Sequence, residues 1–318
     1  MARKRLNFYS SQKFSFFVQR GLCLSPFSKK GNQLISTTFN KIYVIVWLSS
    51  YIGILTTSFI LLYKAGVFSS SSGSFLWAII IGFEIVFSIS SYIVMIIYVS
   101  WKKQKHIAFL HKLYHIDFLL EHEHKFLINY SGVFWRSITS LVVCIGYFNF
   151  WFYLTNEAVA VSLGYYLFIA MYYLEQYTCS ILATGYFNVV LLIKDRFIYI
   201  KSIQKSITKN MGSSSQEESK YIHNVSMLML TFKELCDSID MLNEDMGQIF
   251  ILRYGHDLTL TVSHMFMIFS AVVENNEYTV TTITLVVVWM LPNVVKMILP
   301  AVASRLAVQE VFDLVFKD

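Results

Sequence analysis

The sequence predicts an all-α fold, a polytopic bundle of membrane-spanning helices, on three observations. First, its 318 residues are 55% hydrophobic and only 14% charged, where a soluble domain has roughly 45–50% apolar and 25% charged residues. Second, the apolar residues gather into six runs, each near the roughly 20 residues that carry a helix across a bilayer core of about 30 Å. Third, Lys and Arg concentrate in alternate connections between those runs, as the topology of a multi-pass protein requires. A mean hydropathy of +0.53 leaves too little polar surface for a water-soluble enzyme. With 3 Pro, 13 Gly and 4 Cys, disordered, collagenous and disulfide-built classes are excluded as well.

Each element has its own warrant. Residues 1–41 form a basic leader with Arg3, Lys4, Arg5, Lys13, Arg20, Lys29, Lys30 and Lys41 and no acidic residue. It is expected to set topology and touch anionic lipid, not nucleic acid, and it lacks the short apolar stretch of a cleaved leader. The first span, 42–63, has no charge; 75–101 carries only Glu84, 133–154 only Arg136 and 163–193 only Glu175. The fifth, 248–272, is the most polar, with Arg253, His256, Asp257 and His264. The sixth, 279–303, contains Pro292, Asn293, Lys296 and Pro300, which predicts a kink and a lysine snorkelling toward the cytoplasm. The long links 102–130 and 194–247 read as helical extensions of their neighbouring spans, the second broken by the polar stretch from Gly212 to Ser219. Residues 304–318 form an amphipathic connection.

The leader, the two long links and the tail together hold 22 of the 26 basic residues, against Lys64 alone in the short loops. This places both termini in the cytoplasm.

Ionisable and aromatic groups inside the spans are the candidates for chemistry. Trp77, Glu84, Ser88 and Ser91 stack on one face of the second span, and Tyr165, Phe168, Tyr172 and Glu175 on one face of the fourth. The third span ends in an aromatic run that includes Tyr147 and Trp151. These groups share the outer half of the bundle. They compose either an aromatic interface belt or the wall of a pocket for a small polar molecule, and His264 lies at similar depth. Arg253 and Asp257, four residues apart, are expected to form a structural pair.

No catalytic motif, phosphate loop, cofactor signature or metal-ligand spacing is present, so an enzyme is not expected. The histidines from His106 to His124 read as a solvated basic surface. Cys23, Cys144, Cys179 and Cys236 read as structural.

The stretch from Phe232 to Leu252, with Leu235, Ile239, Leu242, Asn243 and Gly247 ahead of the fifth span, resembles insect gustatory receptors. The cytoplasmic start, long second and fourth connections, short outer loops and aromatic-rich spans are similar too. The resemblance implies a plasma-membrane subunit of a homo- or heterotetrameric ligand-gated cation channel, gated by a small tastant held in the outer half. Such a subunit has seven helices, the last lining the pore and bearing Thr-Tyr and Gln-Phe. The sequence ends at Asp318, in the connection that would precede that helix, so the chain is expected to lack it. The alternative class is a secondary transporter of a small polar solute, disfavoured by the lack of repeated halves.

Overall fold

The computed structural model describes residues 8–25, 27–30, 33–64, 75–159, 163–209, 215–273 and 279–316; the side chains of 75–81 and of others near the ends of these ranges (29, 30, 33, 155–159, 215–218, 220, 270, 271, 279, 281, 282, 285, 315 and 316) lie outside that description. Two short helices, α1 (Phe8–Ser11) and α2 (Lys13–Gly21), precede an antiparallel hairpin of β1 (Ser28–Lys30) and β2 (Gln33–Ile35). Six long helices follow: α3 (Thr38–Lys64), α4 (Phe75–His122), α5 (Tyr130–Val159), α6 (Leu163–Lys209), α7 (Ser215–Val273) and α8 (Thr279–Phe316). The result is an all-α polytopic bundle. Helices α4, α6, α7 and α8 overrun a bilayer thickness at one end, the extended end. Short connections join the helices at the other, the short-loop end.

Helix α6 is the axle. It packs against α3, α5, α7 and α8, and 67% of its apolar window is buried, against 22% in α3 and in α5. The outer helices therefore turn large apolar side chains outward, among them Ile42, Ile45 and Val46 of α3 and Val142 and Val143 of α5. Such a surface belongs against acyl chains.

Among the described residues, five helices, α3, α4, α5, α6 and α8, are long and apolar enough to cross a membrane by length and composition. The part of α7 toward the short-loop end falls short by that measure, and its side-chain directions explain why. Arg253, His256, Asp257 and His264 are 4% exposed or less, whereas Ile251, Leu258, Val262, Met265 and Phe269 are 56–74% exposed. The helix is polar inside and apolar outside, the reverse of an amphipathic helix in water.

The α3–α6 contact depends on Gly164. A Cβ there would lie 2.7 Å from Leu61 Cβ and 3.1 Å from the Leu62 backbone nitrogen. Backbone atoms cannot yield as a flexible side chain does, so Gly164→Ala should overpack this crossing and destabilise the bundle by about 1–3 kcal/mol. Thermal denaturation in detergent measures this, with Gly53→Ala, which meets open space, as the control.

The leader has a larger role than the sequence indicates. Phe8 and Tyr9 are each 1% exposed and pack on Tyr114 of α4, with ring centroids 6.4 and 5.1 Å away. Helix α2 lies against α5 and α6, approaching Gly185 closely enough that a Cβ there would meet Gln19 Nε2 at 2.6 Å. The histidines expected at a solvated surface are partly engaged. The Leu34 N–H donates to His111 Nε2 at 3.1 Å, and His106 Nδ1 lies 3.0 Å from Asp245 Oδ2. Burial pushes the Cys23 thiol up to about 12, which keeps it protonated and unreactive.

At the extended end Arg196 and Asp117, both 1% exposed, form a two-pronged pair. Nε donates to Oδ1 at 2.8 Å and Nη2 to Oδ2 at 2.7 Å. The Tyr130 hydroxyl donates to the same carboxylate at 2.9 Å, so α4, α5 and α6 meet at one point.

Candidate functional site

Four helices bring polar side chains together inside the bundle, in two layers. The deeper layer centres on Asp257 of α7. Its Oδ1 accepts from Arg253 Nη2 at 3.1 Å and lies 3.1 Å from both Lys296 Nζ and His256 Nδ1. Arg253 Nη1 also reaches Ser91 Oγ at 3.1 Å and Glu175 Oε1 at 3.4 Å. His256 Nε2 lies 2.8 Å from Ser88 Oγ, and Lys296 Nζ donates to Gln176 Oε1 at 2.6 Å. Every charge here has an opposite neighbour, as charges removed from water require.

Lys296 departs from the sequence expectation. It does not snorkel; it is 5% exposed and points into the bundle. The carboxylate of Asp257 and the amide of Gln176 offset its desolvation more effectively than the distant interface could. Helix α8 also continues through Pro292 and Pro300 without a break.

The second layer lies toward the short-loop end, centred on Glu84 of α4. The Tyr172 hydroxyl donates to Oε1 at 3.1 Å and the Ser263 hydroxyl to Oε2 at 3.4 Å. His264 Nε2 is 3.7 Å from Oε1, beyond hydrogen-bond length. Trp289 of α8 closes the layer, its ring centroid 6.1 Å from His264, 6.3 Å from Tyr172 and 5.9 Å from Trp151. Both ring nitrogens of His264 and Nε1 of Trp289 are buried without a hydrogen-bond partner. In the first layer Arg253 Nε and Gln176 Nε2 also lack partners, but each charged group there is held by an opposite charge, so that layer reads as structural. In the second layer the orphans are His264 and Trp289, which no charge partner compensates at hydrogen-bond length, and each buried orphan costs about 1–3 kcal/mol.

The sequence pattern of the family described as 7tm Chemosensory receptor matches residues 12–315. The chain belongs to that family. No curated protein matches the chain. Membership makes this a chemoreceptor, in a receptor family and not an enzyme family, and it accords with the buried, unsatisfied layer in the spans.

Among the residues singled out from sequence, the receptor gathers Glu84, Tyr172 and His264 into the second layer, and Ser88, Glu175, Arg253 and Asp257 into the first. Trp151 is 2% exposed and its ring lies 4.2 Å from that of Tyr173, so it walls the second layer from behind. Tyr147 is held by donating to the Val288 carbonyl at 2.7 Å, and Tyr165 packs on the same aromatic cluster. Phe168 turns to α3, its ring 5.6 Å from that of Phe59. The side chain of Trp77 falls outside the described residues.

Sequence reasoning missed Trp289, Ser263 and Gln176. For α8 a signal existed: Trp289, Asn293 and Lys296 stand four and three residues apart, one helical stripe. The kink reading of Pro292 and the snorkelling reading of Lys296 obscured it.

A lateral groove of about 610 Å³ opens between α5, α6 and α8, with Trp135, Val143, Phe148, Leu291 and Val295 along it and Lys296 among its lining. Its walls are mainly apolar, and the Lys296 ammonium is already paired.

Proposed function

We propose that the receptor is a gustatory subunit that holds a small tastant in the layer of Glu84, Tyr172, Ser263, His264 and Trp289. Ligand occupancy there gates a cation channel formed as a homo- or heterotetramer in the plasma membrane. Family membership supports the receptor class. The observation that carries the site is His264, 1% exposed, with no hydrogen bond of good geometry at either ring nitrogen, Nε2 3.7 Å from the Glu84 carboxylate and its ring edge-on to Trp289. A ligand with hydrogen-bonding groups would satisfy these nitrogens and the Trp289 N–H, and would gain aromatic contact area. The distribution of Lys and Arg supports a cytoplasmic N-terminus, with the short-loop end outside.

Recording cation currents from cells that express the full chain, alone and with other receptor subunits, across a panel of small polar compounds tests the proposal. An active compound should lose about tenfold or more in potency with Trp289→Ala or Tyr172→Phe at unchanged surface expression. An N-terminal tag should be reached by antibody only after permeabilisation. The buried Asp257–Lys296 pair favours a second reading, a transporter of small polar solutes. Concentrative uptake without ligand-evoked current would establish that reading and overturn the first.

A further inference from the structure

The charges inside the spans do not balance, and the remainder sits in the second layer. Among the described residues, Glu84, Glu175 and Asp257 are buried carboxylates, and Arg253 and Lys296 are the cations buried with them. Arg136, at the extended end, is taken by Asp195 at 3.2 Å. Arg253 pairs with Glu175 and Asp257, and Lys296 with Asp257. A neutral His256 satisfies both of its bonds, donating from Nδ1 to Asp257 and accepting the Ser88 hydroxyl at Nε2. The first layer is therefore neutral: two carboxylates and two cations.

Glu84 is left over. It is 7% exposed, its hydrogen-bond donors, Tyr172 and Ser263, are neutral hydroxyls, and its ionisable neighbour His264, Nε2 at 3.7 Å, compensates it only when the ring is protonated. Hydroxyls orient a carboxylate without cancelling its charge, and an uncompensated charge in a low-dielectric interior is costly. Tyr172, whose hydroxyl reaches Glu84, and Trp289, its ring centroid 6.3 Å from that of Tyr172, supply aromatic rings in the same layer, and ring faces attract cations through their quadrupoles. A negative charge flanked by aromatic rings is the complement of an organic ammonium group. Resting on the ligand site proposed above, we infer that the receptor's ligand class is a small organic amine, whose ammonium pairs with Glu84 while its carbon skeleton lies on Tyr172 and Trp289. The unpaired nitrogens of His264 then serve a second polar group of the ligand, or the ammonium itself as an acceptor.

The test uses the full chain in lipid nanodiscs and an isosteric pair of probes, phenethylamine and 2-phenylethanol, which differ only in ammonium against hydroxyl. Binding is read as ligand-induced thermal stabilisation at constant ionic strength. Phenethylamine should bind about 10–100-fold more tightly than 2-phenylethanol. Glu84→Gln should abolish that preference while leaving the ligand-free protein at least as stable as wild type, because an uncompensated charge has been removed. Equal binding of the two probes overturns the amine class and leaves the site standing; it means that a proton on Glu84 or His264 balances the charge. Binding of neither probe, with binding of neutral polar compounds lost in Trp289→Ala, also overturns the class alone. Binding of neither probe and of no compound in a neutral panel overturns both the class and the site. A marked loss of stability in ligand-free Glu84→Gln shows the carboxylate to be already compensated, and overturns the inference.

Discussion

Replacing Arg196 with Met should destabilise the receptor by about 3–5 kcal/mol, the cost of stranding one member of a buried ion pair. Asp117 is 1% exposed, and its carboxylate takes two guanidinium bonds, at 2.7 and 2.8 Å. Without Arg196 only the Tyr130 hydroxyl remains, and a neutral donor does not offset the lost charge. Methionine keeps most of the volume, so cavity formation adds little. The effect is read as lower thermal stability in detergent and reduced surface expression. The double variant Arg196→Met/Asp117→Leu should recover most of the loss, because two apolar groups at this junction are tolerated where one bare carboxylate is not. If the single variant is as stable as wild type, the pair is not the junction of α4, α5 and α6 described above.

Arg253→Met should be comparably damaging, about 3–5 kcal/mol, for a related reason with a different signature. Arg253 bonds Ser91, Glu175 and Asp257, so its loss leaves two carboxylates facing Lys296 alone. Neutralising one of them should restore balance. Arg253→Met/Glu175→Gln is therefore expected to be more stable than Arg253→Met, a coupling that a double-mutant cycle measures directly. Glu175→Gln alone should also cost stability, since it leaves an excess positive charge. Strict additivity of the two changes would contradict a shared network.

These junctions show which parts of the molecule the sequence disclosed. The six long helices follow from runs of apolar residues bounded by charged connections, since crossing a bilayer fixes both length and hydropathy. Single-helix periodicity put Glu84, Ser88 and Ser91 on one stripe, and Arg253 and Asp257 on another. Which stripe meets which is a property of three-dimensional packing that no single helix encodes. So the pairing of Ser88 with His256 and of Ser91 with Arg253 across α4 and α7 was not legible. Lys296 illustrates the limit: a lysine near the inner part of a span snorkels or pairs according to whether a carboxylate faces it, and Asp257 lies 39 positions away in sequence on another helix. The leader was opaque for the same reason. Its lysines and arginines are conspicuous, whereas the anchoring by Phe8 and Tyr9 becomes visible only beside Tyr114. Asp195 and Arg196, adjacent in sequence, likewise serve two different ion pairs, with Arg136 and Asp117.

The central claim is that a small ligand binds where α4, α6, α7 and α8 converge on Glu84, Tyr172, His264 and Trp289. Single-particle imaging of the assembled receptor, with and without an activating compound, tests it most directly. New density between the Glu84 carboxylate and the Trp289 ring, within bonding distance of His264, is the expected result. Ligand density confined to the lateral groove between α5 and α8, with the Glu84 layer unchanged, would contradict it.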